Sequence, residues 1–338
     1  MFNVAVAGAT GAVGREMLKI LAERNFPLDN LVALASSRSK GKKLPFGDDQ
    51  VEVEVLSEYD FSDIDLALFS AGSGVVSQEA DRILEQGTVI VDNSSAFRYR
   101  DDVPLVVPEV NPEALEEHSG LIANPNCSTI QMVMVLGPVH KKYGIRRVVV
   151  STYQATSGAG GSARAELFDA TKAYVNEKSE PVPRDFPKPI AFNSIPLIGE
   201  VLADDNDYTK EEMKMVWETR KILSDNSIEV SPTAVRIPVL NCHGESVNVE
   251  TEKPCPIAEL RRELAAFPNL TVMDNPAANE FPTMREADGV DDTFVGRIRN
   301  DFSVENGFNC WIVADNLRKG AALNTIQIAE ELITRKLI

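Results

Sequence analysis

The chain has 338 residues, of which 43% are hydrophobic and 25% charged, and its formal net charge at pH 7 is −17. This length predicts two domains, and the composition is ordinary for a globular protein. Nucleic acid and anionic membranes are poor partners, because they repel so acidic a surface. No apolar stretch is long enough to cross a bilayer, and the first residues predict a strand rather than a signal peptide, so we expect a cytoplasmic protein.

The first third of the chain alternates predicted strands and helices. The apolar run FNVAVAGA predicts a central parallel strand, and the following AVGREMLKILAER has apolar residues at helical spacing. LVALAS, DLALFSA and TVIVDNSS predict further strands, and VVSQEADRILEQG predicts a helix between the last two of them. This alternation indicates a Rossmann-type, doubly wound parallel sheet.

From about residue 146 the pattern changes. Segments rich in β-formers, such as RRVVVSTYQAT, SPTAVRIPVL and GFNCWIVADNL, occur with long helices, which predicts an α+β domain with a mixed, largely antiparallel sheet. We interpret the proline-rich segment 178–207 as an arm across a second copy in a homodimer, and the last helix as returning to the first domain. The predicted domains are residues 1–126, completed by 318–338, for cofactor binding, and residues 127–317 for catalysis and dimerisation.

The glycine-rich stretch GATGAVG, residues 8–14, follows the first predicted strand and opens the first helix. Glycines let the backbone approach a pyrophosphate, and the amide groups of a helix start then face its oxygens. Tight glycine turns are common, but this position between a strand and a helix favours nucleotide binding.

The end of the second predicted strand distinguishes NAD from NADP. An NAD site usually ends that strand with an acidic residue that binds the ribose hydroxyls. Here the strand ends in SSRSK, residues 36–40, with no acid. Hydroxyls and a guanidinium suit a 2′-phosphate, so we predict NADP; the alternative is a solvated basic turn.

Cysteine is scarce, so candidates for a nucleophile are few. The cysteines show no CxxC pair and no zinc spacing, which predicts neither a metal site nor a disulfide framework. They are Cys127, Cys242, Cys255 and Cys310. Cys127 alone follows a short polar turn and opens a predicted helix, whose dipole favours thiolate. A buried, packed cysteine is the alternative interpretation.

Three further residues favour the nucleophile. Gln154 ends a predicted strand before a second glycine-rich turn, residues 157–161, which suits the nicotinamide side of a cofactor. Arg236 lies in a predicted strand, and His243 follows seven residues later. An odd separation puts two residues on opposite faces of an ideal strand, so the turn between them must break the alternation if both face one site. His243 is the best base, because the other two histidines lie in or beside surface-like helices.

The motifs as a set resemble one family, the aspartate-β-semialdehyde dehydrogenases, over effectively the whole chain. They are GATGAVG, ASSRSKGK, DNSSAFR, NPNCSTIQ, TYQATSGAG, EEMKMVWETRKIL, RIPVLNCHGES and ADNLRKGAALNTIQIAE. The form of NPNCSTIQ resembles the bacterial branch. The resemblance implies a homodimer that reduces L-aspartyl-4-phosphate to L-aspartate-4-semialdehyde with NADPH, through a cysteine thioester. It also implies a place in the biosynthesis of lysine, methionine, threonine and diaminopimelate.

The resemblance further implies a role for each matching residue. The implied catalytic residues are Cys127 as nucleophile, His243 as acid/base partner and Gln154 as the group that orients the acyl intermediate. The implied substrate ligands are Arg236 for the carboxylate, Glu211 for the ammonium, and Arg98, Asn126 and Lys214 for the phosphate. The implied cofactor contacts are Gly8, Thr10, Gly11, Ala12, Val13, Ser36, Arg38, Ser39, Ala71, Gly72, Ser157, Gly158 and Asn316. A thiolate, a proton carrier and local cations are also what the reduction of an acyl phosphate needs.

Two other functions remain open from the sequence. N-acetylglutamyl-phosphate reductases share the fold and the Cys/His chemistry, so the substrate is the least specific part of the prediction. A non-catalytic NADP-binding regulator would not need Cys127 together with Gln154, Arg236 and His243. Cys242, next to the histidine, is either open to oxidation or simply packed.

Overall fold

The computed structural model describes residues 1–179 and 181–338. Its strands are β1 (Phe2–Ala7), β2 (Leu28–Ala35), β3 (Lys43–Phe46), β4 (Asp49–Val55), β5 (Leu66–Phe69), β6 (Val89–Asp92), β7 (Leu121–Ala123), β8 (Ile145–Gln154), β9 (Glu229–Arg236), β10 (His243–Thr251), β11 (Leu270–Val272), β12 (Thr293–Asn300) and β13 (Gly307–Ala314). Its helices are α1 (Ala12–Glu23), α2 (Ser73–Leu84), α3 (Cys127–Tyr143), α4 (Gly161–Val175), α5 (Lys210–Ile222), α6 (Ile257–Ala265), α7 (Met284–Ala287) and α8 (Leu323–Arg335). The chain divides into two compact units, Met1–Asn126 with Gly320–Ile338, and Cys127–Lys319.

The first unit is built on a seven-stranded sheet with the order β3-β4-β2-β1-β5-β6-β7. All neighbours are parallel except β3 and β4, which form an antiparallel hairpin at one edge. The central strands are apolar and largely buried, as expected where helices cover both faces of a parallel sheet. The winding reverses at β1, and open sheets of this kind bind nucleotides at such a point. The predicted Rossmann-type fold is therefore confirmed.

Two helices from opposite ends of the chain complete the core of this unit. α1 buries Met17 and Leu18 together with Leu21, which follows them by four and three residues and so lies on the same side of the helix. α8 contributes Ile326 and Leu332 to the same hydrophobic cluster.

Among the described residues, no helix combines the length and the apolar composition that a bilayer span requires.

The second unit is built on a six-stranded sheet with the order β11-β12-β13-β10-β8-β9. β10 is antiparallel to β8 and β13, and β12 is antiparallel to β13, whereas the outer pairs β8–β9 and β11–β12 are parallel. The sheet is thus mixed and mainly antiparallel, as predicted. α3 and α6 pack on one face, where their apolar residues join those of β8, β10 and β13 in a single cluster.

Two local features differ from the sequence prediction. The hairpin β3–β4 was not predicted, because its short strands are half exposed and lack a continuous apolar signal. The segment 178–207 folds back within the chain: Ile190 and Ile195 share a cluster with Leu167 of α4. Ile195 and Arg236 also exchange two backbone hydrogen bonds of 2.9 Å. Its role as a dimer arm stays a prediction, and Glu180 lies outside the described residues.

Candidate active site

The glycine turn after β1 is shaped by close backbone approach. Gly8 has φ +81°, in the left-handed region that favours glycine, and a Cβ there would lie 2.8 Å from the backbone nitrogen of Ala71. A Cβ on Gly14 would collide with the Gly8 carbonyl. The turns after the neighbouring strands β1 and β5 are therefore in contact, which brings Ala71 to the glycine turn; Gly72 is the next residue in the chain.

The start of α1 is suited to an anion. Gly11 is the N-cap and supplies no side chain, and the first turn contains no acidic residue. The first amide groups of a helix lack intrahelical acceptors and lie at the positive end of its dipole. Gly11 and Ala12 are exposed, and Thr10 and Val13 are half-buried beside them. The binding of a dinucleotide pyrophosphate by these residues stays a prediction, with which this helix start is compatible.

The turn after β2 contains the predicted NADP determinants. It is a short 3-10 helix, Ser37–Ser39, capped by Ser36. Ser36 and Arg38 are exposed and Ser39 is buried. No acidic residue lies in the turn, so the guanidinium and hydroxyl groups are the available ligands for a cofactor phosphate.

Two predicted phosphate ligands belong to the first unit. Arg98 is buried in the loop after β6 and donates a hydrogen bond of 2.9 Å from Nη2 to the Asn93 carbonyl. Its positive charge also acts on buried Asp92, whose pKa is nevertheless raised because burial dominates. Asn126, the last residue of this unit's N-terminal segment, is buried.

Cys127 is the first residue of α3 and differs from the other cysteines in its surroundings. It is half-buried, whereas the remaining three are buried. Burial raises the pKa of the Cys242 and Cys310 thiols, and raises that of Cys255 to about 11. Cys127 interacts electrostatically with the Arg236 guanidinium, and a cation nearby favours thiolate.

Gln154, Arg236 and His243 form one row across the sheet. In the register of β8 with its neighbours, Gln154 is opposite Arg236 on β9 and opposite His243 on β10. The three side chains therefore share a face, although Arg236 and His243 are an odd number of residues apart. The turn between them breaks the alternation, as the sequence required for a shared site, because the two residues end and begin separate strands.

His243 is held as a neutral imidazole. Burial first, and the Arg236 charge second, lower the pKa of His243 to about 3. The Ala155 N–H donates to Nδ1 at 3.0 Å, so the neutral ring has its proton on Nε2. Nε2 is buried and has no hydrogen-bond partner among the described residues. It is thus a hydrogen-bond donor that the described residues leave unused.

Ala155 and Gly158 hold this row in place. The Ala155 carbonyl accepts a hydrogen bond of 2.6 Å from Arg236 Nη1, so one residue's backbone binds both the arginine and the histidine. A Cβ on Gly158 would lie 3.0 Å from Arg236 Nη1 and 3.1 Å from His243 Nε2. Glycine at this position leaves room for both side chains.

Glu211 and Lys214 of α5 face the same site. Lys214 Nζ lies 2.8 Å from one Glu211 carboxylate oxygen, and Gln154 Nε2 donates at 3.3 Å to the other. Gln154 Nε2 also contacts the Ser128 hydroxyl at 3.1 Å, next to Cys127 in the chain. The Glu211 charge acts on both Arg236 and His243. Every predicted site residue of the second unit named so far is therefore in one polar cluster.

Asn316 connects the two loops beside this cluster. Its Oδ1 accepts hydrogen bonds from the Ser157 hydroxyl at 3.0 Å and from the Cys242 N–H at 2.9 Å. Asn316 is buried, and these bonds fix the residue that precedes His243.

The only metal-ligand-like group found among the described residues is Cys242 with Asp288 and Asp315, whose ligand atoms lie within 4.8 Å of one another. Both Asp315 carboxylate oxygens already accept backbone hydrogen bonds, from Gly289, Leu317 and Arg318. Cys242 packs in an apolar cluster that includes Phe294. Asp288 accepts a hydrogen bond of 2.9 Å from the Asn241 side-chain amide. Each of the three residues thus has other contacts, and those of Cys242 favour the packed interpretation.

The structure adds residues that sequence reasoning did not find. Ala155 acts through its backbone, which no side-chain pattern reveals. Ser128 and Thr152 position Gln154 Nε2 through their hydroxyls. Of these residues, only Ser128 could have been found from the sequence, because it directly follows Cys127.

Comparison with known proteins places the chain among the semialdehyde dehydrogenases. The model of the semialdehyde dehydrogenase NAD binding domain matches residues 3–118, and that of the semialdehyde dehydrogenase dimerisation domain matches residues 136–319. Together they span most of the chain.

Within this class, the chain belongs to the aspartate-semialdehyde dehydrogenase family. An aspartate-semialdehyde dehydrogenase of Aquifex aeolicus is 53% identical, over 100% of this chain and 99% of the relative. Aspartate semialdehyde dehydrogenase II of Vibrio cholerae, crystallised in complex with ASA, superposes with a TM-score of 0.95 at 48% identity, over 99% of this chain and 98% of that one. The Candida albicans enzyme, crystallised with NADP, has a TM-score of 0.77 at 25% identity, with 100% of both chains covered. The predicted resemblance is confirmed.

Proposed function

We propose that the chain is an NADPH-dependent reductase that converts L-aspartyl-4-phosphate to L-aspartate-4-semialdehyde and phosphate, in amino-acid biosynthesis. The family supports the activity, and the cofactor named for the Candida relative supports NADP. The observation that supports the chemistry most is the row of Gln154, Arg236 and His243 beside the helix start at Cys127. The enzyme is a homodimer, in keeping with the dimerisation-domain model over residues 136–319.

The cofactor is assigned to the first unit. The glycine turn supplies close backbone approach and the amide groups of α1, which bind the pyrophosphate. Arg38 and its neighbouring hydroxyls bind the 2′-phosphate. Ser157, Gly158 and Asn316 of the second unit are assigned to the nicotinamide end. NADPH, when bound, supplies the hydride of the reaction.

The substrate is held by charges that the acidic surface lacks. Arg236 binds the α-carboxylate, and Glu211 binds the ammonium. Arg98, Asn126 and Lys214 bind the phosphate. Since Glu211 and Lys214 pair at 2.8 Å, substrate binding replaces one internal ion pair with contacts to an ammonium and a phosphate of matching charge.

Cys127 is the nucleophile. The helix dipole and Arg236 favour its thiolate, which attacks the acyl carbonyl and displaces phosphate to give a thioester. Gln154 orients the acyl group, because Ser128, Thr152 and Glu211 fix its amide. After reduction, the hemithioacetal oxyanion collapses to the aldehyde and releases the Cys127 thiolate without an added proton.

His243 is the proton-bearing partner. Its Nε2–H donates to the carbonyl oxygen as negative charge develops there, and the burial of His243 strengthens this interaction. This geometry supports the donor half of the acid/base role predicted from the sequence.

The alternatives are less well supported. The relatives are named aspartate-semialdehyde dehydrogenases. The buried Glu211 carboxylate suits a free ammonium group rather than the neutral amide of an N-acetylated substrate. A non-catalytic regulator does not require the Cys127 surroundings. We also propose the cytoplasm as location, where NADPH-dependent biosynthesis and unpaired cysteines are usual.

The test is an assay of NADPH formation from aspartate semialdehyde, phosphate and NADP. We expect turnover that requires all three, and a much poorer rate with N-acetylglutamate semialdehyde. A higher rate with the acetylated substrate would contradict the named substrate, and no phosphate-dependent turnover with either would contradict the enzyme class.

A further inference from the structure

Glu245 is a fully buried acidic group that the proposed chemistry does not use. It lies on β10 two residues after His243, so the two side chains are on the same face of the strand. None of its side chain is exposed, and neither carboxyl oxygen has a hydrogen-bond partner within residues 1–179 and 181–338. Burying such a group without partners is costly, so its presence calls for a physical explanation.

The group that acts on Glu245 is the amide of Gln131. Gln131 is on α3, one helical turn after Cys127, and is also fully buried. Its amide nitrogen and oxygen likewise have no hydrogen-bond partner in the described part of the chain, and the amide acts on the Glu245 carboxyl by lowering its pKa. Two uncharged residues, Thr152 of β8 and Ile312 of β13, are opposite Glu245 in the sheet. The Cys310 thiol of β13, whose pKa is raised by burial, lies within electrostatic range of it.

The two groups match only if Glu245 is protonated. A carboxylate can only accept hydrogen bonds, which would leave the Gln131 amide oxygen without a donor. A carboxylic acid offers one O–H and one acceptor oxygen, and an amide offers N–H and C=O, so the pair can satisfy both groups with two parallel bonds. Burial raises the pKa of Glu245 well above its usual value, and the Gln131 contact offsets this only in part.

We propose that Glu245 is a positioning residue, whose neutral carboxyl group pairs with the Gln131 amide and so sets the placement of Cys127 relative to His243. α3 begins with Cys127 and β10 begins with His243, and the pair joins the same two elements further inside the unit. The inference rests on the proposed function for the roles of Cys127 and His243.

The first test separates positioning from packing. E245M fills a similar volume without hydrogen bonds, E245Q restores an amide donor and acceptor, and Q131M removes the pair from the helix side. T251V is the matched control, because Thr251 is buried at the far end of β10, where its hydroxyl bonds the Lys253 carbonyl at 2.8 Å. We measure kcat and KM per folded enzyme, and the rate of Cys127 alkylation by iodoacetamide.

E245M and Q131M should each lower kcat and the alkylation rate about tenfold or more, with little change in KM. A loss of about this size is expected when one buried hydrogen-bonded contact is removed. E245Q should recover most of both, and T251V should match the parent. If E245M does not fold, Q131M gives the same readout from α3. Parent-like kcat and alkylation in E245M or Q131M would overturn the proposal, because a packing role alone lowers stability but not these rates.

The second test examines the proton. The pKa of this carboxyl group is higher in the folded protein than in the unfolded chain. Once the pH exceeds the pKa of the unfolded chain, folding therefore requires the uptake of a proton. The stability that the group contributes is complete at low pH and falls as the pH rises. The unfolding equilibrium constant of the parent should rise above that of E245Q by about tenfold per pH unit over this window. Equal pH dependence in the two proteins would overturn the neutral carboxyl. Since unfolding and alkylation need no substrate, they remain informative even if aspartate semialdehyde is not turned over.

Discussion

Gly158 approaches His243 so closely that a Cβ on the glycine would lie 3.1 Å from the imidazole Nε2. The φ of Gly158 lies outside the left-handed region, so the backbone itself does not require glycine. Space for the imidazole and for Arg236 is what requires it. The second glycine-rich turn is thus part of the site's shape and not merely a connection.

Gly158→Ala should therefore impair catalysis more than folding. Overpacking of this kind costs about 1–3 kcal/mol of folding stability. Displacement of His243 or Arg236 by about 1 Å should lower kcat/KM on the order of 100-fold. Gly161→Ala is the control, because a Cβ there meets nothing within 4 Å. Steady-state kinetics decide the matter: an active Gly158→Ala enzyme would show that the close approach has no functional consequence.

Arg38 should determine the choice of cofactor. It is exposed in a turn without acidic residues, and loss of a charge-assisted contact to the 2′-phosphate should cost roughly 1.5–3 kcal/mol. We expect Arg38→Ala to weaken NADP use by about tenfold or more and to leave NAD use almost unchanged. Lys19→Ala, an exposed cation on α1, should change neither. Equal efficiency of the parent with both cofactors would refute this interpretation of the turn.

Glu211 should determine recognition of the substrate ammonium. Glu211→Gln removes the charge but keeps the size, and an unsatisfied buried partner costs about 1–3 kcal/mol. The KM for aspartate semialdehyde should rise roughly five- to 150-fold, with the KM for NADP unchanged. Glu250→Gln, which disrupts an ion pair with Arg146 elsewhere on the sheet, is the control. A selective effect on NADP would instead place Glu211 at the cofactor.

His243 should make folding sensitive to acid. Its pKa is about 3 in the folded state, against about 6.5 for a free histidine, so below pH 6.5 the unfolded chain binds a proton that the folded chain does not. Stability from this group is complete above pH 6.5 and falls as pH drops, by about 1.4 kcal/mol per pH unit. His243→Asn keeps an acceptor for the Ala155 N–H and lacks the titrating ring.

Urea unfolding between pH 7.5 and 4.5 measures that difference. As the pH falls below 6.5, the free energy of unfolding of the parent should decrease faster than that of His243→Asn, by about 1.4 kcal/mol per pH unit. Its kcat/KM should also show no ionisation near pH 6.5 from this residue. Parallel stability profiles for the two proteins would mean that His243 titrates normally and is not held neutral by burial.

Several parts of this structure could be predicted from the sequence because local signals agreed with the fold. The glycine stretch between β1 and α1 and the polar turn before α3 are such cases: α3 begins at Cys127, where the sequence predicted a helix start. Alternating strands and helices were sufficient for the parallel sheet.

Other parts depended on contacts between distant segments. The row formed by Gln154, Arg236 and His243 arises from the register of three strands, whereas from the sequence only one condition followed, that a turn must break the alternation between Arg236 and His243. The resemblance implied substrate-binding roles for Glu211 and Lys214, but their ion pair at 2.8 Å was not predicted. Glu245 looks like a surface residue in the segment HGESVNVE, and only the packing of α3 shows that it is buried.

The central claim is that Cys127 forms the covalent intermediate. Mixed with aspartate semialdehyde and NADP in the absence of phosphate, the enzyme should release about one NADPH per active site in a burst and then stop. Mass spectrometry of the quenched protein should find the aspartyl group on the peptide that contains Cys127, and Cys127→Ala should show neither signal while still binding NADP. Absence of a burst, or an acyl group on Cys242 or Cys255 instead, would contradict the account.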